Sequence, residues 1–113
     1  MKLVIAYIKP HKLSGVVLAL QELEGLTGAT FSDVRGFGRG RARNAPDRVR
    51  DEAGDFLPRV RVEVACADEL ADQVVEAIEK SAHTGLRGDG KILVYPLEKA
   101  VRISTGERDN ESV

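Results

Sequence analysis

The chain has no tryptophan, two Tyr, three Phe, two His, one Met and one Cys in 113 residues. Each scarcity excludes something. A single cysteine, Cys66, rules out an internal disulfide framework and a cysteine-rich zinc site. It closes the strand-like run 60–65 and reads as a small core residue. His11 and His83 are too few and too far apart to build a metal site with it. The few aromatics are scattered, so there is no stacking platform of the kind a single-stranded RNA module needs. A formal net charge of −1 gives no global field toward nucleic acid or an anionic membrane. No apolar run approaches the roughly 20 residues of a membrane-spanning helix. The apolar start, residues 3–8, is closed by Lys9-Pro10 and is too short for a secretory leader. The expectation is one cytoplasmic domain, residues 1–113, that does not bind nucleic acid.

What is present is periodic. Residues 3–8 form a short apolar run bounded by Lys9-Pro10, a strand signal. Leu13, Val16, Val17, Leu20 and Leu23 recur at helical spacing and predict a helix over about 12–24, ended by Gly25 and Gly28. Residues 30–35 read as a second strand. Val60, Val62 and Val64 alternate with Arg59, Arg61 and Glu63, the pattern of a strand with one buried face. Asp68 is placed to cap a second helix running to about Ala82, with Leu70, Val74, Ala77 and Ile78 on its apolar face. Residues 92–95 are a fourth strand, and 101–103 a short extra one. The polar residues from Thr105 onward predict a frayed tail, about 106–113. The order β-α-β-β-α-β is the ferredoxin-like split βαβ, an α+β class with both helices on one face of a four-stranded antiparallel sheet. The other face also carries apolar residues, and oligomerisation is the simplest way to cover it.

Two glycine-rich segments carry the chemistry. Residues 84–91 read Thr-Gly-Leu-Arg-Gly-Asp-Gly-Lys and run directly into a strand. Backbone N–H groups of glycine can form a concave nest for an anion, and lysine adds a point charge suited to phosphate. The order helix, loop, strand differs from the standard phosphate loop, which runs strand, loop, helix. A tight turn with a solvated lysine is the plain alternative. Residues 36–40, Gly-Phe-Gly-Arg-Gly, follow another strand. Two such segments, each with a cation, suggest two walls of one anion or nucleotide site.

Between the second and third strands, residues 39–55 hold Arg39, Arg41, Arg43, Arg48 and Arg50 with Asp47, Asp51, Glu52 and Asp55. A connection this long without periodicity is a functional loop or a solvated tip. Its acids read better as charge balance for the arginines than as a cation site. The functional reading makes Arg41, Arg43, Arg48, Arg50 and Glu52 a partner-binding surface.

Ile8-Lys9-Pro10, Gly36-Phe37-Gly38-Arg39, Asp55-Phe56-Leu57-Pro58, Thr84-Gly85, Gly88-Asp89-Gly90-Lys91-Ile92 and Thr105-Gly106-Glu107 resemble, in order and spacing, the landmarks of the PII signal-transduction proteins over essentially the whole chain. The resemblance implies a homotrimer with an adenine nucleotide (ATP, ADP or AMP) in each intersubunit cleft. It also implies a long T-loop, about 39–55, that engages a membrane transporter, metabolic enzyme or regulator. It places Gly36, Phe37, Gly38 and Arg39 along one side of the nucleotide, with Thr84, Gly88, Asp89, Gly90 and Lys91 at phosphate and ribose. Glu63 and Arg102 fall where the neighbouring subunit reaches base and phosphates. Arg59 stands where the family's lysine pairs with the carboxylate of an oxoacid.

Several positions depart from the family pattern. Gly40 replaces a glutamine that ligates magnesium between ATP and 2-oxoglutarate, so the role of magnesium is left open. Arg59 keeps the lysine's charge and changes its geometry. Glu52 stands where many members carry a uridylylated tyrosine. Ser104 replaces an arginine, and Leu86 a basic residue. These changes imply impaired 2-oxoglutarate sensing, no tyrosine switch, and a regulator of energy and carbon or nitrogen status. They place the chain in a branch outside classical nitrogen control, the bicarbonate-linked one being favoured because arginine-rich edges suit a small anion, with bicarbonate as the candidate second ligand. A 2-oxoglutarate-sensing nitrogen regulator and a metal-efflux-associated member are the alternatives. An enzyme is the rival class: His83 could in principle accept a phosphoryl group, but no acid or base to orient it is evident. The expectation is a non-enzyme, with His83 at a helix C-terminus and His11 at an exposed tip.

Overall fold

The computed structural model describes residues 1–38 and 56–113. The expected T-loop, with Arg39, Gly40, Arg41, Arg43, Arg48, Arg50 and Glu52, lies outside the described residues. Four strands, β1 (Lys2–Ile8), β2 (Thr30–Gly36), β3 (Leu57–Cys66) and β4 (Lys91–Pro96), form one sheet in the order β2-β3-β1-β4. All neighbouring pairs are antiparallel. Two helices, α1 (Leu13–Gln21) and α2 (Asp68–Ala82), complete the ferredoxin-like arrangement.

The alternation in β3 does what its sequence expects. Val60, Val62, Val64 and Cys66 are buried and join Val4, Ala6 and Ile8 of β1 in one core. β-branched side chains suit the pleat, and only one face of the strand is turned to the helices. From α2 the core takes Ala71, Val74, Ile78 and Ala82, a stripe at helical spacing. Val16 and Leu20 close it from α1. Each large aliphatic side chain so buried contributes about 1.5–3 kcal/mol. Burial also pushes the Cys66 thiol above its ordinary value. The helix layer is narrower than the sheet: Phe31 on β2 and Val94 on β4 stay 37% and 47% exposed.

Local details differ from the sequence expectation for identifiable reasons. A 3-10 turn, Pro10–Lys12, precedes α1, because proline fits a first helical turn and cannot continue a ladder behind it. The helix stops at Gln21, and Leu23 packs on the core from outside it. Asp68 does not cap α2; Ala67 occupies the cap position with no side-chain bond. Instead the Asp68 carboxylate accepts a hydrogen bond from the Met1 amine at 2.7 Å, which holds it below the usual carboxylate range. Ala77 is only half-buried, and the core face of α2 is Ala71, Val74, Ile78 and Ala82. The expected short strand at 101–103 is a single bridge, Val101 to Arg108. Beyond that bridge Arg102 N–H donates to Glu107, Asp109 N–H to Ala100 and Ser112 N–H to Asp109.

The topology has one consequence for function. The C-terminal ends of β1 and β2 and the N-terminal ends of β3 and β4 all lie at the same end of the sheet, as the pairs Ile8–Val60, Gly36–Leu57 and Tyr7–Lys91 require. The C-terminus of α2 delivers the segment 83–90 to that end as well.

Candidate functional site

The segment between α2 and β4 is built around one carboxylate. Asp89 accepts hydrogen bonds from the Thr84 backbone N–H at 2.8 Å and from the Thr84 hydroxyl. Lys9 Nζ lies 3.3 Å from the same carboxylate and donates to Thr84 Oγ1 at 3.2 Å. Thr84 Oγ1 in turn accepts from Leu86 N–H at 3.1 Å. Burial pushes the Asp89 carboxyl up. The Thr84 bonds and the Lys9 ammonium outweigh it and hold Asp89 well below the usual carboxylate range.

Lys9 was not among the site residues read from the sequence. It is the one charged or polar residue buried among those described, at 7% exposure. A lysine ending an apolar strand before proline reads locally as a solvated stop. The signal that could have exposed it is the lone acid of Gly-Asp-Gly, an acid that needs a cation if it is to be held inside the loop.

Glycine is obligatory in this loop for two separate reasons. Gly85, Gly88 and Gly90 have φ of 81°, 84° and 97°, the region other residues enter at a cost. Gly90 also lies flush on β1: a Cβ there would overlap the Tyr7 carbonyl oxygen and stand 2.9 Å from its carbon. The contact seats Lys91 as the first residue of β4, opposite Tyr7. Lys91 is exposed, and no described carboxylate pairs with it.

Arg59, the cross-sheet neighbour of Val34, donates from Nη1 to the Pro58 carbonyl at 2.7 Å and from Nη2 to the Gly88 carbonyl at 3.3 Å. Two open grooves flank this end of the sheet. One, about 380 Å3, runs between the end of α2 and the start of β4 past Ile78, Ala82, Asp89 and Lys91. The other, about 330 Å3, passes Asp33, Arg35, Pro58 and Arg59.

The first glycine segment follows different rules. Neither Gly36 nor Gly38 has positive φ, and among the described residues a Cβ at either would meet nothing within 4 Å. Phe37 is 74% exposed and rests its ring against Phe56, with centroids 6.0 Å apart. Within one chain the two glycine segments stand at the same end of the sheet but on opposite edge strands. Three interstrand spacings, roughly 14 Å, separate those strands.

The structure thus gathers Arg59, Thr84, Gly88, Asp89, Gly90 and Lys91 at one end, with Gly36, Phe37 and Gly38 across from them. Glu63 and Arg102 are elsewhere. Glu63 pairs with Arg61 at 3.1 Å, in register with Ile5 and Thr30, away from the glycine end. Arg102 belongs to the hairpin after β4, which leaves from the far end of the sheet beside Met1; its Nε is 3.6 Å from Glu107. His83 stands just past α2, as expected, but an acid does face it: Nδ1 is 3.4 Å from Asp89. That carboxylate is already committed to Thr84 and Lys9. His11 is exposed in the 3-10 turn. Among the described residues no group of three His, Cys, Asp or Glu could hold a metal ion, and no helix is long and apolar enough to cross a membrane.

The family model described as nitrogen regulatory protein P-II matches residues 1–107. The nitrogen regulatory protein P-II of Rhizobium etli is 48% identical over 113 residues, covering all of both chains. The protein of the same description from Haemophilus influenzae is 46% identical over the same full length. The nitrogen regulatory protein GlnK of Escherichia coli K12 is 42% identical, again end to end. A match of this extent, on a βαββαβ sheet that brings both glycine segments to one end, establishes that the chain belongs to the nitrogen regulatory protein P-II family.

Proposed function

We propose that the protein is a regulator that binds an adenine nucleotide at the glycine end of its sheet and transmits occupancy to a partner protein in the control of nitrogen metabolism. The observation that carries this reading is the loop 84–90. Lys9, Asp89 and Thr84 fix it internally, and among the described residues no carboxylate pairs with Lys91 beside it. An exposed ammonium next to a preorganised glycine turn suits a phosphate group. Gly36 and Gly38 support the reading from the other edge, since among the described residues no contact or backbone angle demands glycine there. Such glycines suit the close approach of a ligand.

The nucleotide site is completed between subunits of a homotrimer. Arg102 and Glu63 lie away from the glycine end of their own chain, so they serve the site of a neighbour. The uncovered sheet face gives the trimer an apolar contact, with Leu93 and Tyr95 37% and 47% exposed there. The names of the relatives favour nitrogen control over a bicarbonate or metal-efflux role. Two residues argue that the oxoacid response is weakened. Gly40 offers no side chain to a magnesium ion, and Arg59 already donates to two main-chain carbonyls. The protein acts without catalysis of its own, and Glu52 leaves it without a tyrosine switch.

Calorimetry tests this directly. ATP, ADP and AMP are titrated into the full chain alone, with magnesium and 2-oxoglutarate, and with bicarbonate. Lys91→Ala should weaken nucleotide binding between about tenfold and a hundredfold, the loss of one charge-assisted contact, with the oligomeric mass unchanged. Equal affinity in wild type and variant would remove the site assignment. A clear tightening of ATP by 2-oxoglutarate would show that Gly40 and Arg59 leave the oxoacid response intact.

A further inference from the structure

At this end of the sheet Arg59 spends its hydrogen bonds on main-chain oxygens. Its own neighbour, Pro58, orients the guanidinium through a 2.7 Å bond to Nη1. The second nitrogen then reaches across the sheet end to the Gly88 carbonyl at 3.3 Å. Lys9, beside it, is neutralised by Asp89. Among the described residues no carboxylate pairs with Arg59. Gly88 is shaped to admit it: a Cβ at that position would stand 3.0 Å from Nη2, and φ is +84°.

The Gly88–Asp89 peptide is the element so held. It is trans, so its carbonyl oxygen and the Asp89 N–H point in opposite directions. Glycine on both sides of Asp89, with φ of 84° and 97°, leaves the peptide plane little steric preference of its own. Its orientation must be set from outside. The Asp89 side chain is anchored to Thr84 and Lys9, but neither contact touches the peptide. Arg59 does. By holding the carbonyl toward β3 it turns the Asp89 N–H the other way, and among the described residues nothing accepts from that N–H.

We propose that Arg59 is a positioning residue of the glycine loop: its guanidinium fixes the Gly88 carbonyl and so aims the Asp89 N–H at the incoming anion, here a nucleotide phosphate. This rests on the nucleotide reading above and adds to it. Arg59 acts through the peptide rather than by meeting the phosphate with its charge. The distinction matters because a flipped peptide would present a carbonyl oxygen to the phosphate, which repels it.

The test uses the full chain, labelled with nitrogen-15, as wild type, Arg59→Lys and Arg59→Met. The Asp89 and Gly90 amide resonances of the nucleotide-free protein are recorded first. ATP is then titrated at low and at high salt. Both variants should move the Asp89 amide, while the core amides of β1 and α2 stay in place. ATP affinity should fall about tenfold, the value of one charged hydrogen bond. The loss should be similar at both salt concentrations, and lysine should not restore it, because a single ammonium lacks the fork that spans the Pro58 and Gly88 oxygens. An unmoved Asp89 amide overturns the proposal. So does a moved amide with unchanged affinity. So does a loss that lysine repairs or that high salt abolishes, since either would make Arg59 a direct charge contact. If the wild type binds no ATP at all, the nucleotide reading fails and the aim of the N–H with it. The amide shifts alone would then still decide whether Arg59 sets the peptide.

Discussion

Gly90→Ala should be the most damaging single-methyl change in the described chain. Two penalties coincide at this position. A φ of +97° strains any L-residue by about 1–2 kcal/mol. The added Cβ would also overlap the Tyr7 carbonyl. That oxygen belongs to β1, whose ladder with β3 and β4 is the centre of the sheet, so it cannot retreat cheaply. Forcing the loop away costs roughly another 1–3 kcal/mol, for a total near 3 kcal/mol by these magnitudes. In a domain of this size the midpoint of thermal unfolding should fall by about 10–15 °C. Nucleotide binding should be lost even below that temperature, because Lys91 is seated by this contact. Gly106→Ala separates the two penalties. It shares a positive φ of 76°, yet nothing stands within 4 Å of its Cβ. It should cost only about 1–2 kcal/mol. Equal losses in the two variants would mean that the approach of Gly90 to Tyr7 has no energetic role.

The contrast between these glycines shows what the chain reveals of itself. Glycine enrichment at 36–40 and 85–90 is visible in the sequence, but the reasons differ and only coordinates separate them. Gly90 is required by a backbone it meets across the sheet, whereas Gly36 and Gly38 meet nothing among the described residues. The core was legible because its signal is periodic and local. Val60, Val62 and Val64 alternate, and α2 repeats an apolar stripe. β2 was legible as a strand although almost all of it is exposed, because its β-branched and aromatic residues sit between turn signals. The misreadings share one cause, a local rule overridden by a distant partner. Asp68 looks like a cap and instead meets the Met1 amine. Lys9, which marks only a strand boundary in the sequence, is buried because its counter-charge arrives from the other end of the chain.

Asp89→Ala should show how much that counter-charge matters. The substitution leaves the Lys9 ammonium, whose side chain is only 9% exposed, with the Thr84 hydroxyl as its remaining partner. Breaking a buried pair by removing one member costs about 3–5 kcal/mol. Asp89 is 23% exposed, so water can partly replace it and the expected loss is near the lower value, about 3 kcal/mol. Lys9→Met should cost less, about 1–2 kcal/mol, since Asp89 keeps both Thr84 bonds and some solvent. The double variant should be more stable than Asp89→Ala alone, because the uncompensated charge is gone. Urea unfolding at one fixed protein concentration reads all four proteins. The pH dependence follows from the depressed Asp89 carboxyl. A carboxylate held below its ordinary value of 3.8 contributes stability that is fully present at neutral pH. That contribution is lost as pH falls below about 4 and the group takes up a proton. The gap between wild type and Asp89→Ala should therefore be constant from neutrality down to about pH 5 and narrow below it. A gap that stays open in acid would assign the stabilisation to packing of the loop. A gap absent at neutral pH would mean that Lys9 finds water as readily as it finds Asp89, and the glycine loop would lose its internal anchor.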